Sequence, residues 1–439
     1  MLFEWKRLGV VALVAGVVAG CGGGASSGGS GGGGTGGGGN STTVTFSFEG
    51  ATPTAVATQV GSGAFQTVTP AASVSLTLPS GTTKFAVAYV CPAVMVNSST
   101  GQVLTTGQDV FEATTTDGTS FSGTCGMANW TGTTGTLTFG VDASAINGAS
   151  EISVQAENSQ YYGQAPYELV ASNATLAAPV GTDRVDIEAW GTTGSGFQYL
   201  LTTYAAKTLT GQSVPGSLNG GNTVVLGAED LVTMEPITFN GTPSGFSGPF
   251  VTADYLPTGE AGSFLLTYGA ATEYPGLPAG VTQGGGSYDV QAEAIAVPNA
   301  TAAVTVLQRF SSAGPITVNF PAVWTYPGPS AAALPTFNFD YTGFAGKSGV
   351  SQTGAIGWLT GQSTEMSYFV KSSASYQGSS ASMTMPNLTS LPGFLAPPAS
   401  GTSVFWVAAV SQSDTGSLQP VSGSMTESTA TAEGSFTVP

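Results

Sequence analysis

The sequence predicts an all-β protein built of tandem β-sandwiches behind a flexible tether. Three observations carry that prediction. From Thr43 onward, short apolar/polar alternations rich in Val, Thr, Phe and Tyr follow one another. Gly, Pro and Asn separate them, as turns require. No apolar pattern at helical period persists for three turns. Val44-Phe46-Phe48, Phe85-Val87-Tyr89, Val185-Ile187-Ala189 and Val404-Trp406 read as strands, because alternate residues of a strand share one face.

An internal repeat orders these strands. Four segments open alike, with Thr43-Val-Thr-Phe46, Thr136-Leu-Thr-Phe139, Pro236-Ile-Thr-Phe239 and Pro335-Thr-Phe-Asn-Phe339. Their last phenylalanines are spaced 93, 100 and 100 residues apart. Inside each segment a Pro, then a Gly two or three residues on, precedes a strand: Pro79/Gly81, Pro179/Gly181, Pro278/Gly280 and Pro398/Gly401. Segment ends also agree, Gly314-Pro-Ile-Thr-Val318 with Gly434-Ser-Phe-Thr-Val438. A period near 100 residues is the size of one immunoglobulin-like sandwich. The expected organisation is four such domains at 43–135, 136–235, 236–334 and 335–439. Two larger sandwiches are the alternative grouping.

The N-terminus carries an address. Lys6 and Arg7 precede an apolar run from Leu8 to Ala19, too short to span a bilayer, so residues 1–20 read as an export signal. Val18-Ala19-Gly20-Cys21 resembles the lipobox of bacterial lipoproteins. The resemblance implies cleavage before Cys21, acylation of that cysteine and, with the uncharged Gly22 next to it, transfer to the outer membrane. Residues 21–42 are then a lipidated Cys and a Gly/Ser tether with a root-mean-square reach of roughly 25 Å.

Composition narrows the chemistry. Charged residues make up 8% of the chain and the net charge is −17. Removal of residues 1–20 leaves six basic against twenty-four acidic residues. Such a chain repels nucleic acid and gains nothing from anionic headgroups. There is no histidine, which excludes His-based triads, His metal ligands and imidazole switching. Once Cys21 is assigned to lipid, Cys91 and Cys125 remain, and an even pair in an exported protein predicts a disulfide, with two buried thiols as the alternative.

Carboxylates alternate along three predicted strands: Asp186 with Glu188, Glu151 with Glu157, and Asp289 with Glu293. They read as the solvated face of a sandwich, with a Ca²⁺ site or an acid/base pair as the functional alternative. Glu229-Asp230 reads as a loop dipeptide. Gly-x-Ser-x-Gly at Gly24–Gly28 and Gly28–Gly32 lies in the tether, outside any strand–turn–helix context. Lys84, Lys207, Lys347 and Lys371 lie outside any Ser-x-x-Lys motif.

Among the tryptophans Trp130, Trp190, Trp324, Trp358 and Trp406, core positions are expected, most clearly for Trp190 and Trp406. The pairs Tyr161-Tyr162, Tyr274-Pro275 and Tyr326-Pro327 are the expected exposed aromatics. The sequons at Asn97, Asn173 and Asn299 carry no information in a bacterial lipoprotein. The expected function is a lipid-anchored envelope protein, periplasmic or surface-exposed, with a structural, adhesive or protein-interaction role. No catalytic residue, metal or cofactor is assigned. Expected partners are the membrane, through the lipid, and other envelope proteins or polysaccharide. The alternatives are a polysaccharide- or small-ligand-binding lipoprotein and a carboxylate-dependent hydrolase.

Overall fold

The structure, a computed structural model, describes residues 41–92, 95–96, 103–125, 133–157, 162–193, 200–258, 263–297, 300–324, 326–339, 341–344, 347–360, 364–378, 381–416, 418 and 423–439. Cys21 and nearly all of the tether lie outside the described residues, as do Asn97, Trp130, Tyr161 and Asn299. The regular secondary structure of the described chain is almost entirely strand, in several sheets.

The first unit has strands β1 (Thr42–Gly50), β2 (Ala55–Val60), β3 (Gln66–Val68), β4 (Ser73–Leu78), β5 (Lys84–Val90), β6 (Met95–Val96), β7 (Val103–Thr114) and β8 (Ser120–Cys125). A small sheet runs β4-β1-β8, with β8 parallel to β1. It faces strands ordered β3-β2-β5-β7. The alternation is why β1 forms. Val44, Phe46 and Phe48 point inward to Phe85, Val87 and Tyr89 of β5, while Thr43 and Thr45 stay on the outer face. Phe46 packs against Phe111 of β7 with ring centroids 5.4 Å apart.

The second unit repeats this order with β9 (Thr134–Asp142), β10 (Glu151–Glu157), β11 (Tyr162–Tyr167), β12 (Val170–Pro179), β13 (Arg184–Thr193) and β14 (Leu200–Leu209). Its seventh strand is split into β15 (Gly216–Ser217) and β16 (Val224–Val225), both parallel to β9. The third unit has β17 (Thr233–Asn240), β18 (Phe246–Pro257), β19 (Phe264–Gly269), β20 (Glu273–Gly276), β21 (Gly286–Ala296), β22 (Ala302–Phe310) and β23 (Ile316–Asn319). The fourth has β24 (Thr336–Asn338), β25 (Val350–Thr360), β26 (Thr364–Ser373), a short helix α1 (Ala374–Gln377), β27 (Ser382–Thr384), β28 (Ser403–Ser413) and β29 (Met425–Thr437).

One strand order therefore recurs: 3-2-5-6 in the larger sheet of all four units, and 4-1-7 in the small sheet of the first three, the fourth showing only its 4-1 pair, β27-β24, among the described residues. An immunoglobulin sandwich instead places strands 1, 2, 5 and 4 together against 3, 6 and 7. The immunoglobulin-like expectation is corrected to this extent. Strands 2 and 3, and strands 5 and 6, pair directly here, and the last strand returns parallel to the first. Both orders use seven strands, so a 100-residue period cannot tell them apart.

The repeat markers have clear places. Phe46, Phe139 and Phe239 lie in the first strand of their units, and Phe339 just follows it. The Pro/Gly markers fall in the connection from fourth to fifth strand. There Thr82 N–H, Thr182 N–H and Val281 N–H each donate back to the Pro carbonyl at 3.0, 3.3 and 2.9 Å. Gly81 and Gly181 sit at φ 81° and 90°, a conformation that costs an L-residue. The segment-end match is not structural. Ile316–Asn319 is a separate strand beside β17, whereas residues 434–437 continue β29 along β28.

Three of the four larger half-sandwiches merge. Strands β19-β18-β21-β22-β29-β28-β25-β26-β7-β5-β2-β3 run in one 13-stranded sheet, with β6 paired to β7. The sheet is continuous across the third and fourth segments through the antiparallel β22–β29 pair. The first segment joins through the parallel β26–β7 pair. At that junction Val110 lies beside Val370, in the core of the fourth unit, and Phe111 beside Lys371. Phe111 belongs to the first unit's own core. The first sandwich thus sits on the opposite face of the shared sheet from the fourth. The second unit keeps its own four-stranded sheet, β11-β10-β13-β14.

Candidate functional site

The carboxylates read as a solvated face are placed quite differently. Asp186 and Glu188 do lie opposite Val185 and Ile187, as alternation requires, but they are 0% and 4% exposed. The reason is tertiary: the outer face of the second unit's sheet packs on the third unit. Arg184 Nη2 donates to Val281 O at 3.1 Å, and its guanidinium lies 5.9 Å from the centroid of Phe264. Arg184 Nε pairs with Asp186 at 2.9 Å, and Thr208 donates a short hydrogen bond to the same carboxylate. Gln155 Nε2 reaches Ser263 O at 3.5 Å. Burial, and then the charge of Glu188, hold the Tyr204 phenol well above its ordinary value.

Asp289 is likewise buried and is gripped by Arg309 at 2.7 and 2.5 Å. Burial raises its carboxyl, against the opposing pull of that guanidinium. Glu293 is half-buried. Burial, then the Glu433 charge, pushes it up to about 7. Glu151 is exposed, and Glu157 pairs in register with Arg184 along the backbone. Asp230 is a buried member of a short turn, paired with Lys207 at 3.1 Å and accepting from Gly227 N at 2.8 Å. Asp186, Asp230 and Asp289 act first as ion-pair partners that let polar faces be covered, whereas Glu151 stays exposed as the alternation predicts. Among the described residues no group of three or more His, Cys, Asp or Glu side chains could hold a metal ion.

The remaining sequence candidates are distributed through the fold. Cys91 and Cys125 form a disulfide with Cα atoms 5.1 Å apart, inside the first unit. Trp324, Trp358 and Trp406 are buried in the core shared by the third and fourth units. Trp190 is instead half-buried on the outer face of β13, beside the carboxylates. Two expected exposed aromatics are not exposed. Tyr274 is 0% exposed, donates to Gly314 O at 2.8 Å and accepts from Gly314 N at 3.0 Å. Tyr326 packs against Trp324 and Trp406. Tyr162 opens β11. Lys84 lies over the Tyr376 ring at 5.1 Å, Lys371 donates to Leu418 O at 2.9 Å, and Lys347 is exposed.

An exposed mixed patch that no sequence pattern marks lies on the outward face of β19-β18-β21. Leu265 stands opposite Asp254, and Tyr268 opposite Thr252. Asp289, Gln291 and Glu293 continue these rows on β21, with Phe250 opposite Glu293. Leu265 is 55% and Tyr268 45% exposed. In a regular strand, residues three apart point to opposite faces. A bulge between Ala253 and Asp254 in the β18–β19 register puts both outward, while Phe264 and Leu266 stay in the core. Farther in, the same face closes over buried Leu307 and Arg309. Burial, then the charge of Asp289, pushes Asp254 up to about 6.

No protein-family model matches this chain, and no curated protein matches it either.

Proposed function

We propose that the chain is a lipid-anchored protein of the bacterial cell envelope, held at the outer membrane through Cys21, with a non-catalytic structural or adhesive role. The observation that carries this reading is the 13-stranded sheet, which welds three sandwiches into one body with broad lateral faces. Such a body suits contact over a surface rather than enclosure of a substrate. The Cys91–Cys125 disulfide fits an oxidising compartment, as an exported chain would meet. The strand carboxylates at Asp186 and Asp289 are engaged by Arg184 and Arg309, which suits a structural task more than proton transfer.

Membrane fractionation tests the anchor. The native protein is expected with membranes under conditions that strip peripheral proteins, and the Cys21→Ala protein in the soluble fraction. A Cys21→Ala protein that still sediments with membranes removes the anchoring half. A hydrolase activity abolished by Asp186→Asn or Asp289→Asn, with strand-rich circular dichroism intact, removes the non-catalytic half.

A further inference from the structure

The outward face of β19-β18-β21 is unusual for the edge of a sheet. Edge strands are ordinarily short or blunted by charge, because exposed apolar edges aggregate. Here Leu265 and Tyr268 are the two most exposed side chains of the edge strand, and a bulge is what aims both outward. Half-buried Phe250 extends the apolar area, and Thr252, Asp254, Gln291 and Glu293 stand among these groups on adjacent strands. Three strands at 4.7–4.9 Å spacing make this strip roughly 10 Å across.

Charge narrows what it fits. The nearest guanidinium, Arg309, is held by both oxygens of Asp289, so the strip offers no cation to an anionic ligand. The charged and titratable groups facing Asp254 and Glu293 are Asp289, Arg309 and Glu433, together with the Tyr204 phenol of the second unit, which feels the charge of Asp254. Burial holds Asp254 up to about 6 and Glu293 up to about 7, so near neutral pH Asp254 chiefly accepts hydrogen bonds while Glu293 can donate as well as accept. Flat apolar groups flanked by hydroxyl, amide and carboxyl groups match a neutral polyol, whose rings have C–H faces and O–H edges.

We propose that the outward face of β19-β18-β21 binds a neutral polysaccharide, with a sugar ring stacked on Tyr268 and its hydroxyls bonded by Thr252, Asp254, Gln291 and Glu293. This deepens the adhesive role above and rests on it for the setting. Binding is read on a soluble chain and anchoring on membranes, so either can fail alone.

The test is affinity electrophoresis of the full chain carrying Cys21→Ala, in gels containing soluble β-glucan, mannan or dextran, with alginate and polylysine as charged comparisons. Retardation is expected in at least one neutral gel, with none by alginate. Tyr268→Ala is expected to weaken the binding at least about ten-fold. Gln291→Ala is the second variant, should Tyr268→Ala alter the circular dichroism. No retardation in any neutral gel, binding to polylysine alone, or folded Tyr268→Ala and Gln291→Ala proteins retarded as strongly as the parent chain would overturn the proposal. Polylysine binding would point to a basic protein partner instead.

Discussion

The second and third sandwiches share one strand order and are attached to the body in different ways. The third donates its sixth strand, β22, to a continuous backbone ladder with β29. The sixth strand of the second unit, β14, pairs with β13 of its own sheet, and its other edge meets the chain leading into β17 at the Ala205–Leu231 bridge instead of a strand of another sandwich. The second unit is held by a face instead, through Arg184, Gln155 and Tyr204 against Phe264, Val281 and Ser263. An edge junction needs only unpaired N–H and C=O groups, which every edge strand has. A face junction needs side chains suited to burial, and here that means an ion pair. The same architecture can be extended by either route, and the route decides which substitutions detach a unit.

The largest expected effect breaks the face junction. Arg184→Met leaves Asp186 buried without its cation, a loss of about 3–5 kcal/mol. Calorimetry is expected to show the second unit melting earlier as a separate transition. Arg309→Met orphans Asp289 by a similar amount, but inside the merged sheet, so the main transition should move. If Arg184→Met shifts all transitions together, the second unit is not energetically separate and the comparison fails.

Reduction of Cys91–Cys125 comes next. The bridge closes a separation of 34 residues, and in the chain-entropy model its loss costs about 3–4 kcal/mol. Hydrogen exchange should rise first in the first unit. Uniform change across the chain would argue that the merged sheet transmits the loss.

A pH dependence sharpens the view of the β7–β26 junction. Glu112 is buried there, facing Ser372 and Gln377, which donate to it, and the charge of Lys84. Burial outweighs all three and pushes its carboxyl from 4.5 to about 7. Between those values the folded chain holds a proton that the unfolded chain has released. This stabilising contribution is full below about 4.5 and lost as pH rises towards 7. The melting temperature is expected to fall over that window, and Glu112→Gln to flatten the fall. An unchanged slope in Glu112→Gln would assign the dependence to other carboxyls.

The smallest effect concerns the exposed clamp between the first and fourth units. Lys84→Ala removes the cation over Tyr376 and should cost about 0.5–1 kcal/mol. A larger loss would mean that the clamp contributes more to this junction than an exposed cation–π contact can.

Much of the local structure was legible in the chain. Alternation at Val44-Phe46-Phe48 fixed a strand and its inner face, because a period of two admits only that reading. The Pro/Gly markers located one turn in every unit, because positive φ at Gly81 and Gly181 is a local requirement. The pairing of Cys91 with Cys125 followed once Cys21 was set aside. Tertiary structure alone decided the rest. Asp186 and Asp289 carry the same local pattern as a solvated face, and only packing by distant residues buried them. Tyr274 looked like a loop aromatic, yet Gly314, forty residues on, took its hydroxyl. The outward aim of Leu265 and Tyr268 depends on a bulge against β18, which Phe264-Leu-Leu-Thr-Tyr268 does not spell out. Strand order and the merging of three sheets are choices among edges with equivalent backbone groups. Periodicity fixes which face a residue takes, but long-range pairing fixes what that face meets.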